Sequence, residues 1–239
     1  MNLYPITRCV VEDIKTVEIS IGDLMMNQMG EEEQPNPAEY IINRKGVDFT
    51  PSSKVLSVVD AKLRLEMGAE KILSCILEPL REVYDYILID TCPSLNTLTI
   101  NALAAADEVI IEANSQFWAM VGLEDFLLTV KKIKNRVNSK LDVSGILLTM
   151  CEERTNLCKV ITDEVAEAFN GKLRIFDSKI PTTVKVGESV YYGEPLLEYV
   201  PRTKACKAYQ NLAAVYGARR SPFRFRTAAF RSKTAVHFS

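Results

Sequence analysis

The chain reads as an α/β protein built on a mostly parallel sheet with helices on both faces. From about residue 40 onward, short β-rich apolar runs alternate with segments of helical period, which is the pattern of strands joined by crossover helices. With 239 residues, 47% of them hydrophobic, there is ample side-chain volume for one large core. The apolar segments are also too broken to span a bilayer: the richest, residues 98–113, is interrupted by Asn101, Asp107, Glu108 and Glu112, short of the roughly 18–20 apolar residues a span needs.

Residues 1–40 form a poorly defined N-terminal segment, since 14–29 has no clean period and the acidic, proline-containing run 30–37 reads as a loop. Strands are predicted at 46–49, 86–90, 108–113, 143–150, 174–180 and 195–199. Between them, 119–136 places Leu123, Phe126, Leu127, Val130 and Ile133 on one stripe, with Lys131, Lys132, Lys134 and Arg136 near its end, a charge placement that favours a helix C-terminus. Residues 155–169 repeat the design with Leu157, Val160, Ile161, Val165 and Ala168 inward and Gly171 as a stop. Residues 203–216 do so with Ala205, Tyr209, Leu212 and Tyr216, ending at Gly217. The organisation expected is therefore 1–40, a folded domain over 41–217, and a tail over 218–239.

The tail differs physically from the body. Residues 218–239 contain Arg219, Arg220, Arg224, Arg226, Arg231 and Lys233 and no acid, so they carry +6 of a formal net charge of −2, leaving −8 on residues 1–217. That tail is expected to be disordered. The six cysteines are scattered and form no C-x-x-C pair, which fits reduced thiols rather than a disulfide framework or a zinc site. His237 is the sole histidine, which removes Ser-His-Asp and Cys-His chemistry from the body. The N-terminus lacks the pattern of a secretory leader. A soluble, cytoplasmic protein is the expectation.

One segment carries chemistry. Residues 84–95 read Tyr-Asp-Tyr-Ile-Leu-Ile-Asp-Thr-Cys-Pro-Ser-Leu: an apolar strand ending in Asp90, the Walker B arrangement in which a carboxylate orients a Mg²⁺-bound water beside a nucleotide. Alone, the pattern is equally that of a buried strand whose aspartate caps the next turn. The longer stretch YDYILIDTCPSLNTLTINALAAADEVII, however, resembles the Walker B region of the ParA/Soj/MinD family of partition ATPases, which reads hDhIIIDxPPSLxxLTxNALxAADxVIIP. The likeness continues through GLEDFLLTVKKIKNRVNSKLDVSGILLTMCEERTNLCKVITDEV and IPTTVKVGESVYYGEPLLEYVPRTKACKAYQNLA, and upstream in GVDFTPSSKVLSVVDAKL. It spans roughly residues 40–216.

The resemblance implies a three-layer P-loop NTPase-like fold, with ATP and Mg²⁺ as ligands. Asp90 matches the Walker B aspartate, which holds the metal through water, and Pro93 and Ser94 match the turn facing the nucleotide. Thr149, Met150 and Pro181 match segments flanking the base. Arg154 and Lys185 match basic positions implicated in nonspecific DNA contact, although each taken singly also reads as an ordinary solvated charge. Lys185 stands where arginine is common, keeping the charge and losing the fork geometry. Expected partners are nonspecific DNA, a ParB/Spo0J-like centromere-binding protein and a second copy of the chain.

Two departures weigh against catalysis. The family's KGGxGKT loop is absent; the only Gly-Lys dipeptide, Gly171-Lys172, follows a helix and precedes a strand, the reverse of a phosphate-binding loop. The D-x-D-P-Q segment is also missing. The expectation is a family member lacking its first strand, phosphate loop and first helix, and unable to hydrolyse ATP. The edge of 86–90 should then lie open unless residues such as Val10, Val11 or 17–21 fill the vacancy. Two other readings remain: a nucleotide-independent DNA- or partner-binding module, and a MinD-like membrane-associated regulator. Pro222, with Phe223 and Phe225 on opposite helical faces, disfavours the latter.

Overall fold

The computed structural model describes residues 18–44, 46–92, 94–114, 119–152, 155–169, 173–219 and 234–237. In chain order these form α1 (Ile21–Met29), α2 (Pro37–Tyr40), β1 (Ile42–Arg44), β2 (Val47–Thr50), α3 (Val55–Leu63), α4 (Ile72–Leu77), β3 (Ile87–Asp90), α5 (Thr97–Ala105), β4 (Glu108–Asn114), α6 (Ala119–Arg136), β5 (Asp142–Thr149), α7 (Asn156–Phe169), α8 (Val184–Tyr192), α9 (Leu196–Tyr199), α10 (Lys204–Arg219) and β6 (Thr234–His237). Contacts group the chain into two compact units: 1–107 with 133–140 and 228–239, and 108–132 with 141–227.

In the first unit, helix α1 begins where the Asp23 carboxylate accepts from the Ser20 amide at 2.8 Å and the Ser20 hydroxyl at 2.5 Å. Ile21, Leu24 and Met25, spaced as one helical face, are buried in the unit's core. The segment that lacks a clean period over 14–29 thus contains a core helix. Leu56, Val59 and Leu63 of α3, and Ile72, Leu73, Ile76 and Leu77 of α4, complete this core together with Leu98, Ala102 and Ala105 of α5. Asn101 is fully buried and reconciles the helices: its Oδ1 accepts from the Leu73 amide at 3.1 Å and its Nδ2 donates to the Thr97 carbonyl at 3.1 Å. The last carbonyls of α5 are capped from outside, by Asn138 Nδ2 on Leu103 and Ala106 and by Arg81 on Ala105.

The sheet of this unit runs β1-β2-β6-β3. β1 pairs antiparallel with β2, while β6 is parallel to both of its neighbours. Its register sets Asp48 opposite Thr234 and Thr50 opposite Val236 on one side, and Ile87 opposite Thr234 and Asp90 opposite His237 on the other. Residues 234–237, expected in a disordered tail, therefore form a strand beside β3. Residues 19–21 lead into α1 instead, and Val10 and Val11 lie outside the described residues. β3 alternates as a half-covered strand does: Ile87 and Ile89 pack against the core, and Leu88 is 62% exposed.

In the second unit β4 and β5 pair in parallel, with an irregularity where Val109 faces Val143 and Ile110 faces Gly145. Helices α6 and α7 supply Leu123, Cys158, Ile161, Val165 and Phe169 to a core with Ile111, Ala113, Ile146 and Leu148. The predicted strand over 174–180 is present only as isolated parallel bridges, Ile146 to Ile175 and Cys151 to Pro181. The polar run Asp177-Ser178-Lys179 separates them. The predicted strand at 195–199 is helix α9 instead: the Pro195 carbonyl accepts from the Glu198 and Tyr199 amides, both at 2.9 Å, and proline is well suited to a helix start. Helix α10 runs through Gly217 to Arg219.

Among the described residues, no helix is long and apolar enough to cross a membrane.

Candidate functional site

The candidate residues fall into two groups, one in each unit. In the first, β3 delivers Asp90 to the C-terminal end of its strand, half-buried, followed by a short loop into α5. Ser94 in that loop is exposed; its hydroxyl lies 2.9 Å from Cys92 Sγ, and its carbonyl accepts from Thr99 Oγ1 at 2.6 Å. Pro93 lies outside the described residues. Asn96 caps α5 by accepting from the Thr99 amide at 2.9 Å, and Asp60 of α3 accepts from the Thr97 amide at 3.2 Å. The first amides of this helix, often an anion's landing place, are thus engaged by an amide oxygen and a carboxylate of the same unit.

The second group gathers at the end of β5. Thr149 closes the strand, and Met150, 64% exposed, adopts φ +51°, a left-handed conformation rare for a side chain of this kind. The chain there runs beside 180–182: the Cys151 amide donates to the Ile180 carbonyl at 3.0 Å and the Thr182 amide to the Cys151 carbonyl at 3.2 Å. This ladder brings Pro181 next to Cys151 and so unites Thr149, Met150 and Pro181 at one strand end. Strand C-termini are the usual ligand end of open parallel sheets.

Lys185 lies in the first turn of α8, whose start is capped by Thr183 Oγ1 accepting from the Lys185 amide at 3.2 Å. Its Nζ meets Glu188 Oε2 at 2.7 Å, and Tyr199 Oη donates to the same oxygen at 2.9 Å. The Glu188 hydrogen bond holds the lysine above its ordinary range, and the Lys185 and Tyr199 hydrogen bonds hold the carboxylate below its own. Tyr192 stacks beside Tyr199, with ring centroids 5.7 Å apart. Arg154 lies outside the described residues.

Sequence reasoning did not single out Cys92, Asp60 or the Glu188–Tyr199 pair. The spacing of Lys185 and Glu188 on one helix was the available signal for the last; Asp60 comes from a distant helix and left none. Among the described residues, no group of three or more His, Cys, Asp or Glu side chains is placed to hold a metal.

Comparison with known proteins joins these observations. Residues 5–143 match the AAA domain family. The sporulation initiation inhibitor protein Soj of Bacillus subtilis is 36% identical over 169 residues, 71% of this chain and 66% of that protein. The chromosome partitioning protein ParA of Myxococcus xanthus is 32% identical over 203 residues, 85% of this chain and 70% of its own length. An uncharacterized protein of Mycobacterium tuberculosis is 40% identical over 71% of this chain, which spans about half, 52%, of that relative's length. Among solved structures, a variant of McdA from Cyanothece in its ATP complex superposes with a TM-score of 0.75 at 19% identity, over 88% of this chain and 80% of that one. That level of identity speaks for the fold alone. The strand that ends in Asp90, its turn into α5, and the matches to Soj and ParA lead to one assignment: the chain belongs to the ParA/Soj family of partition ATPases, with the P-loop NTPase fold.

Proposed function

We propose that this chain serves in DNA segregation, by nonspecific DNA binding and association with a second copy and a ParB/Spo0J-like partner in the cytoplasm or on the nucleoid, without hydrolysing ATP. The observation that carries the reading is the Ile87–Asp90 strand with its short loop into a capped helix, inside a chain related over most of its length to proteins named for chromosome partitioning.

Within the first unit, Asp90 is of the right chemistry to hold a Mg²⁺-bound water, and the described residues of the loop after it supply no phosphate grip. Within the second unit, taken by itself, Thr149, Met150 and Pro181 share a strand end of the kind that takes ligands in open parallel sheets. The loop from Asp90 to Thr97 has no lysine or arginine. The amides of Thr97 and Thr99 are already bonded to Asp60 and Asn96, and Asp60 is itself paired with Arg64 at 2.8 Å. Phosphoryl transfer depends chiefly on cations and amides around the phosphates, so no hydrolytic step follows from these residues.

The test is Mg²⁺-dependent ATP turnover by the purified chain. The expected result is none above background; turnover that disappears in Asp90→Ala would overturn the reading.

A further inference from the structure

The sheet of the first unit has two edges, and they differ in charge. β1 closes one side and β3 the other, so among the described residues β3 has a strand, β6, on one side only. At the β1 edge the sequence reads Ile-Asn-Arg-Lys over 42–45. At the β3 edge Asp85 stands exposed just before the strand, and the half-buried Asp90 ends it. Residues 82–106 contain three acids, Glu82, Asp85 and Asp90, and no lysine or arginine. Asp85 and Asp90, five residues apart, are separated by roughly 17 Å along an extended chain. Between them Ile87 and Ile89 pack into the core while Leu88 is 62% exposed, so the strand is anchored on one face and offers an apolar side chain on the other.

An edge strand presents a row of backbone donors and acceptors to any extended segment that lies beside it. Such edges are commonly guarded by a lysine, a proline or a bulge. Tyr86-Ile87-Leu88-Ile89 has neither charge nor proline, and β3 runs in unbroken register. Charge then selects the occupant. Two β3 strands side by side would set Asp85 and Asp90 against like charges in either direction, which is unfavourable. A strand with a base at each end meets both acids whichever way it runs. We propose that the outer edge of β3 is a strand-addition site for a partner polypeptide, which docks through a short extended segment whose two basic residues, five apart, flank a β-prone apolar run. This pairing needs neither nucleotide nor DNA.

The probe is a fluorescent peptide, Arg-Thr-Val-Thr-Val-Arg, titrated into the full chain. Saturable binding is expected, with Glu-Thr-Val-Thr-Val-Glu giving none, and Asp85→Lys should weaken the basic peptide roughly three- to tenfold. Strand addition, unlike bare attraction to an acidic body, uses alternate amides of the added strand. Of two versions of the basic peptide N-methylated at alternate residues, one should therefore bind and the other fail. Hydrogen exchange should slow at residues 86–90 and not at 42–44 when peptide is added. No saturable binding, an acidic peptide bound as tightly, or an affinity unchanged by Asp85→Lys would overturn the proposal. The same affinity for both methylated versions, or protection at 42–44 instead, would do so too. Protection of 86–90 that arises without peptide as the chain is concentrated would assign the edge to a second copy and likewise overturn it.

Discussion

A methyl group at position 145 would stand 2.7 Å from the carbonyl oxygen of Arg174, on a residue with φ +149°. Neither the backbone of β5 nor the segment laddered beside it has room, because Ile146 exchanges hydrogen bonds with Arg174 and Phe176 there. Gly145→Ala is expected to destabilise the protein by about 1–3 kcal/mol, seen as a lower urea midpoint at unchanged slope. Gly122→Ala is the control: nothing lies within 4 Å of the added carbon in helix α6, so it should be neutral or stabilising by up to about 1 kcal/mol. The glycine's role was illegible in Ser-Gly-Ile-Leu-Leu, which reads simply as a strand, because its cause is a segment some thirty residues away. Asp90 was legible, since a strand ending in an acid is a local pattern. Asp60, which engages the helix beyond it, was not.

At the level of the element, α8 and α9 are tied by Glu188, which accepts from both Lys185 and Tyr199. The carboxylate sits below its ordinary value of 4.5, so its contribution is complete above that value and is lost as pH falls through the folded one. Lys185 sits above its ordinary 10.5, so its share is present below that value and is lost as pH rises further. The α8–α9 junction should therefore hold steady from about pH 5 to 10. Glu188→Gln should abolish the acid limb, read by the fluorescence of a probe attached at Tyr191→Cys; an acid limb that survives the substitution would place its origin elsewhere. Element type was legible where a period ran long, as in α6 and α7. The short run Leu196-Leu197-Glu198-Tyr199 after Pro195 fits either a strand or a helix start, and the Pro195 carbonyl decided for helix. For α1 the Ser20–Asp23 capping pair was in the sequence, but the mixed period of 14–29 hid it.

For the whole molecule, charge is divided so that the acidic body carries −8 and the stretch 218–239 carries +6. Weak, sequence-independent DNA binding is expected, falling steeply as salt rises, with a log–log slope near 0.9 per phosphate neutralised. Replacing Arg224, Arg226 and Arg231 by glutamine, which leaves 234–237 intact, should flatten that slope; an unchanged slope would remove these residues from the interface. The alternation of strand and helix made the fold class legible. The neighbour of β3 was not, because pairing between residues near 88 and 235 leaves no local mark. That pairing also sets a clock. After Asp90 is made, the chain must grow by about 150 residues before its neighbour exists, some 7–30 s at translation rates of roughly 5–20 residues per second. For that interval the edges of β2 and β3 that β6 pairs lack their partner, and unpaired strand edges are templates for association between chains.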